Sequence, residues 1–421
     1  MSAGASVRMS FLLLVAMYTA AMLWVWTGAI YRDINLLPMA GLHLGSAAAS
    51  AGILWIVLSR VPALPSFDLA VPVGPIFAAA IVAGAIAHWI SLGGIPIVDA
   101  LLTDNYLTAG LIRDGITREQ NVFFNYMPTF IIKVFAPFLV IYCIDKRRWK
   151  LGIFVLLFGS FYAISLMQKS YPLYVTAPPA LFALLTWRPV KAVFSGAVGV
   201  AAVAALVMAT NPALRTAHVT PNETKIVEPA AAPPVAEHHP LEMVASPTQA
   251  LKAAAPDIID SLAVRVVVSP GMVVSQWFDV FPSVLPFNGL CGYRFLAPLA
   301  GCAHVENAKN VWLHYNPDLI ALGYQGSMGA AHFMEEYANF GAAGLAISAL
   351  LLVGVLAVVS VLSAHVGLAG MVALNFAFIM ALSSTGLHTT LLSGGWALML
   401  LCSMLWRPSS GPRAEHLARQ V

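Results

Sequence analysis

The sequence predicts an all-α integral membrane protein, with about ten transmembrane helices and one large loop on the outer face of the membrane. Three observations predict it. Of 421 residues, 59% are hydrophobic and 10% charged, whereas a soluble domain carries roughly 25% charged residues. The apolar residues gather in runs of about twenty, the length a helix rising about 1.5 Å per residue needs to cross the hydrocarbon. Lysine and arginine crowd some of the connectors between those runs and are sparse in others. The net charge of +3 is too small to point to nucleic acid.

In chain order, spans are expected at 9–31, 39–60, 70–92, 127–145, 151–167, 171–187, 191–209, 341–364, 366–386 and 388–406. Residues 1–209 thus hold seven spans with a first outer loop at 93–126. Residues 210–340 form the large loop, 341–406 hold three more spans, and 407–421 are a basic tail. The first run exceeds the apolar region of a signal peptide and more spans follow, so it reads as a retained helix.

Orientation follows from the basic residues. The connectors Asp145-Lys146-Arg147-Arg148-Trp149-Lys150 and Arg188-Pro189-Val190-Lys191, and the tail with Arg407, Arg413 and Arg419, belong inside. Ten spans then put both termini inside. Outside lie 93–126, the turn at Gln168-Lys169-Ser170, and 210–340. The large loop holds six Lys/Arg against eleven Asp/Glu, and the rest of the chain sixteen against eight.

The loop is not uniform. Residues 229–250, rich in Pro and Ala, read as a flexible insert. Residues 254–281 look amphipathic through Ile258, Leu262, Val266, Val273, Trp277 and Val280, with a break at Pro270-Gly271. Residues 282–330 read as an irregular folded segment. Cys143 and Cys402 fall in spans and read as packing residues. Cys291 and Cys302 share the outer loop at short spacing, where an oxidising compartment permits a disulfide. No Cys/His cluster has metal-site spacing, so neither a metal nor a cofactor is expected.

Candidate chemistry lies at the outer face. Arg113, Arg118, Lys169, Arg215, Arg265 and Arg294 could hold phosphate oxygens, arginine through its planar fork. Arg265 lies in Ala263-Val264-Arg265-Val266-Val267-Val268, where an unpaired charge is costly; an ion pair with Asp257 or Asp260 is the structural alternative. For Lys169 the alternative is an interfacial anchor, and for Arg113 and Arg118 a solvated cluster with Asp114 and Glu119. The sharpest cluster is His332-Phe333-Met334-Glu335-Glu336-Tyr337-Ala338-Asn339-Phe340-Gly341. On a helix, His332, Glu335, Glu336 and Asn339 fall three and four apart on one face. They could act as general base or orient arginines; the alternative is acidic capping of a helix start. Gly341 and Gly344 allow close helix packing.

The order of features resembles the O-antigen polymerase (Wzy-type) oligosaccharide repeat-unit polymerases of bacteria. The resemblance rests on Gly93-Gly94-Ile95-Pro96-Ile97 after the third span, on the segment from Arg265 to Pro282, and on Glu336-Tyr337-Ala338-Asn339-Phe340-Gly341-Ala342-Ala343-Gly344 entering the eighth span. It covers most of the chain as layout; the last string is the most specific, and the insert at 229–250 departs from a compact loop. The family implies a GT-C-like, inverting, metal-free glycosyltransferase of the bacterial inner membrane with its site facing the periplasm. Its donor is a growing glycan on undecaprenyl pyrophosphate, attacked by the hydroxyl of a second lipid-linked repeat. Arg265, His332, Glu335 and Glu336 would be catalytic; Arg113, Arg118, Lys169, Arg215, Arg294, Tyr337 and Asn339 would bind substrate. Membrane lipid, a chain-length regulator and a flippase are the implied partners. An O-antigen ligase shares this layout, with a different acceptor. A dolichyl-type transferase would need an acidic pair in the short outer connector between the first two spans, where only Asp33 is available. A flippase or transporter would place its charges within spans.

Overall fold

The computed structural model describes residues 3–61, 73–102, 112, 116, 121–210, 268–321 and 326–406. Among them every regular element is helical and there is no strand. Seven segments are long and apolar enough to cross a membrane: Ser6–Arg32, Ile34–Leu58, Gly74–Ser91, Phe123–Asp145, Pro189–Thr210, Ala342–Ala381 and Leu387–Met404. The chain is therefore a multi-pass membrane protein.

The elements are α1 (Ala3–Arg32), α2 (Leu37–Leu58), α3 (Val73–Ser91), the short α4 (Pro96–Leu101), α5 (Val122–Thr129) and α6 (Ala136–Asp145). A π-helical turn, Phe130–Phe135, joins α5 to α6. Then come α7 (Trp149–Ser165), α8 (Tyr171–Leu185) and α9 (Pro189–Thr210). The apolar α7, of 17 residues, is as long as the expected 151–167 span and starts two residues earlier, while α8, of 15, stops two residues short of the expected 171–187; neither reaches the length of the seven. The turns on either side of them are tight, because Arg147, Met167 and Trp187 adopt left-handed backbone just past a helix end.

After the large loop, α10 (Ser269–Val280) begins with Pro270 in its first turn, where a missing N–H costs nothing. Gly271 lets α10 lie against the α1 backbone at Gly28 and Ala29, where a Cβ would collide. The segment expected to be irregular, 282–330, contains two helices, α11 (Asn307–Tyr315) and α12 (Pro317–Ala321). Amphipathic periods of two turns were too short to stand out there. The disulfide Cys291–Cys302 is formed, with Cα atoms 5.9 Å apart. Finally come α13 (Phe333–Phe340), α14 (Ala342–Ser363), α15 (Gly367–Ala381), α16 (Leu387–Leu391) and α17 (Trp396–Met404). The tenth expected span, 388–406, is interrupted: Gly395 takes φ +89° between α16 and α17. The expected 366–386 helix stops at Ala381.

Two of the resemblance's motifs are chain reversals. Gly93, at φ +75°, ends α3. The Gly94 amide donates to the Trp89 carbonyl and the Gly93 amide to Ile90, the pair of bonds by which a glycine closes a helix end. Gly341, at φ +62° and ψ −144°, separates α13 from α14.

The bundle has two chemically different ends. At one, the Trp406 indole donates to Asp145 at 3.1 Å, Arg188 donates to the Ile144 carbonyl, and Lys191 lies over Trp149 at 3.5 Å. Lys146, Arg147, Arg148 and Lys150 join them in the same connector. At the other, Arg32 pairs with Asp279 at 3.3 Å, and α13 docks with its two glutamates. Cys143 and Cys402 are buried in the core.

Candidate functional site

The site is built on α13. Its first backbone amide, at His332, donates to the Leu382 carbonyl just past α15 at 2.8 Å. Phe333 stacks on Trp26 of α1, with ring centroids 4.8 Å apart. On the loop side, the Asn288 amide donates to the Ala338 carbonyl and the Tyr337 hydroxyl to the Phe281 carbonyl at 3.2 Å. The helix is thus held between spanning helices and the folded loop.

His332 is fully buried and belongs to a chain of four polar rings. The Trp26 indole, which can only donate, gives its proton to His43 Nδ1 at 3.1 Å. A neutral His43 then carries its proton on Nε2, which lies 2.9 Å from the Tyr18 hydroxyl. Tyr18 in turn donates to His332 Nε2 at 3.1 Å. His332 is left with its proton on Nδ1, an atom buried without a partner among the described residues. Burial, with His43 alongside, holds the His332 imidazole well below its usual range.

Glu336, one turn on, is 3% exposed, and its Oε2 is also buried without a partner. Burial first, and Glu335 beside it second, push its carboxyl up to about 8. It is mostly protonated at neutral pH, so His332 and Glu336 are both neutral, the form that burial favours. Glu335 differs. Its side chain is 27% exposed and its Oε2 lies 3.3 Å from His388 Nδ1 on α16. Burial raises it too, but His388 and His304 oppose the shift. Gly386 leaves room for this carboxylate, because a Cβ there would sit 2.8 Å from it. Asn339 Oδ1 accepts from Asn307 at 3.2 Å, and Asn307 accepts from Asn288 at 2.6 Å. Gly292 admits the Asn339 amide, which a Cβ there would strike.

The structure thus brings His332, Glu335, Glu336 and Asn339 together with Tyr18, His43, Tyr293 and His388. Tyr293 packs edge-on against His388 at 6.4 Å. Tyr337 is buried among Phe278 and Phe287, so it braces the helix from behind. Arg294 points to solvent, 80% exposed, and pairs with Glu306 at 3.4 Å. Lys169 is exposed in the turn between α7 and α8. Asp33 caps the 3-10 turn before α2 through the Asn35 amide, which accounts for it without chemistry. Arg113, Arg118, Arg215, Arg265, the insert at 229–250 and the tail lie outside the described residues.

Sequence reasoning missed Tyr18, His43 and His388. Tyr18 and His43 are polar residues inside apolar runs, and that placement was the available signal; His388 lies in the polar segment Ser383–Thr390, which offered no such contrast. Among the described residues no group of three or more His, Cys, Asp or Glu could hold a metal. Comparison with protein-family models, with curated proteins and with solved structures finds no match.

Proposed function

We propose that the protein is a bacterial inner-membrane glycosyltransferase that joins undecaprenyl-pyrophosphate-linked oligosaccharide repeat units at the periplasmic face. The observation that carries this reading is the partly exposed Glu335 carboxylate beside His388, set at the end of a membrane bundle beneath a disulfide-stapled loop. With Ala342–Ala381 counted as the two helices α14 and α15, and with α7 and α8 added, the chain crosses ten times. The basic end at Asp145–Lys150 then faces the cytoplasm, as basic connectors do, and the α13 end faces out.

In the proposed reaction the acceptor hydroxyl attacks the anomeric carbon of the donor glycan. A new C–O bond forms, the bond to the pyrophosphate oxygen breaks, and lipid pyrophosphate leaves with that electron pair. The hydroxyl proton passes to Glu335. Its partly exposed carboxylate can meet substrate, whereas Glu336 and His332 are sealed from it. His388 holds Glu335 in position, and the neutral Glu336 and His332 keep the site rigid. The resemblance assigns pyrophosphate contacts to Arg265 and to Arg113, Arg118 and Arg215. The reading requires no cofactor.

Glu335→Gln should shorten the polymer ladder to single repeats at normal protein level, a loss of roughly a hundredfold or more for a proton acceptor. Glu335→Asp should retain part of the activity. A full-length ladder from Glu335→Gln would remove Glu335 as the proton acceptor, and one from cells lacking the protein would sink the reading.

A further inference from the structure

A second polar site lies in the membrane segments behind α16. A cavity of about 190 Å³ is bordered by Lys133, Thr129, Thr385, Thr389, Thr390 and Ser393, among others. Lys133 stands on the π-helical turn Phe130–Phe135, inside the span Phe123–Asp145. π-Turns inside helices are frequent at functional sites. Pro128 precedes this one, inside α5.

The lysine is the reason to look for a ligand. Its ammonium rests over the Tyr174 ring, 4.6 Å from the centroid. Among the described residues no carboxylate comes within ion-pair distance of it. An ionisable side chain at this depth is expensive and marks a ligand or ion path by default. The hydroxyls around the cavity complete a donor set. Thr390 and Ser393 donate to the Gly386 and Thr389 carbonyls, while the Thr385 and Thr389 hydroxyls make no such bond among the described residues. Ser393 and Gly394 border the cavity and lead into the nine-residue α17, whose first turn has no side-chain cap. Uncapped amides at a helix start favour negative charge. A compact ammonium and uncommitted hydroxyl donors, with no carboxylate within ion-pair distance among the described residues, suit a phosphate oxygen cluster.

We propose that this cavity binds the phosphate group of an anionic ligand, with Lys133 as its counter-charge. The anion site stands on these contacts alone. That the ligand is the polyprenyl carrier rests on the polymerase reading. The geometry links the two sites: successive residues of α16 serve both, His388 toward Glu335 and Thr389 toward the cavity.

The test uses the full chain in lipid nanodiscs, without turnover. Inorganic pyrophosphate is titrated calorimetrically. Undecaprenyl phosphate and phosphatidylglycerol, each doped into phosphatidylcholine discs, are scored as retained lipid by native mass spectrometry. Lys133→Met should weaken binding roughly tenfold or more, as expected for losing a charge-assisted contact. Lys133→Arg should retain binding, which separates lost charge from a misfolded chain. Thr385→Val with Thr389→Val should fall between. Retention of undecaprenyl phosphate alone identifies the carrier; pyrophosphate binding alone identifies a soluble anion; equal retention of both lipids identifies any phosphate headgroup. In each case the site stands provided Lys133→Met abolishes the signal. No binding by the native chain, or binding unchanged in Lys133→Met, overturns it. A polymer ladder that survives loss of the whole protein would refute the polymerase reading and leave this result untouched.

Discussion

Replacing Glu336 with glutamine should stabilise the protein progressively as the pH rises, and least in acid. The carboxyl is 3% exposed and is held at about 8, against an ordinary 4.5, by burial and then by Glu335. Between those values the folded chain keeps a proton that the unfolded chain releases. Stability therefore falls as pH rises through that window and levels off above it. Each pH unit costs about 1.4 kcal/mol, so going from pH 5.5 to 7.5 costs the native protein at most about 2.7 kcal/mol through this one group. Glutamine has no proton to lose and feels none of it. His332 works in the opposite direction: buried neutral, it must be charged on unfolding in acid, so stability is lost as pH falls below its ordinary 6.5. That slope is common to both proteins and cancels in their difference. Thermal unfolding in detergent, followed by size-exclusion of a fluorescent fusion at pH 5.5, 6.5 and 7.5, reads the difference. The midpoint of Glu336→Gln should gain on the native protein at each step. A difference that stays constant, or grows toward acid, refutes the assignment of a neutral buried carboxyl.

Gly344→Ala should lower folded yield sharply, because its Cβ would strike the Glu336 carbonyl; overpacking of this kind costs about 1–3 kcal/mol, and a normal elution profile and melting point would contradict it. Topology reporters fused at His238 and after Arg413 should give opposite signals, outside and inside respectively, and matching signals would remove the orientation assigned here.

The spans were legible because hydropathy and length suffice to find them, and the ends of α1, α2, α9 and α14 fall close to the expected positions. What hydropathy cannot report is a helix that stops inside an apolar run. Ser393-Gly394-Gly395 carries a breaker signal, but a span-length window averages over it, and Gly394 and Gly395 break the last span there. The candidate site was legible in part. His332, Glu335, Glu336 and Asn339 announced themselves by spacing on one short segment. Their partners did not, since Tyr18 and His332 are 314 residues apart and only the packing of α1 and α2 against α13 joins them. Lys133 carried a usable sign, a charge within an apolar run. Only the fold brings it to one cavity with Thr385 and Thr389.

The glycine string after the glutamates explains why the carboxylates can be buried at all. Had α13 run straight into α14, residues 336 and 344 would be separated by eight helical steps, about 12 Å along the axis, and Glu336 would stand nearly two turns before the start of the span at Ala342. Gly341 takes a backbone conformation essentially reserved for glycine, and Gly344 lets the first turn of α14 touch the Glu336 carbonyl. The chain folds back on itself, and α13 is pressed against α1 through Trp26 and Phe333. Burial then sets the protonation of Glu336 and His332, while Glu335, one residue away and so turned about 100° around the helix, keeps contact with solvent and with His388. One chain reversal thus divides two adjacent glutamates into a sealed neutral group and an accessible one, the division on which the proposed chemistry depends.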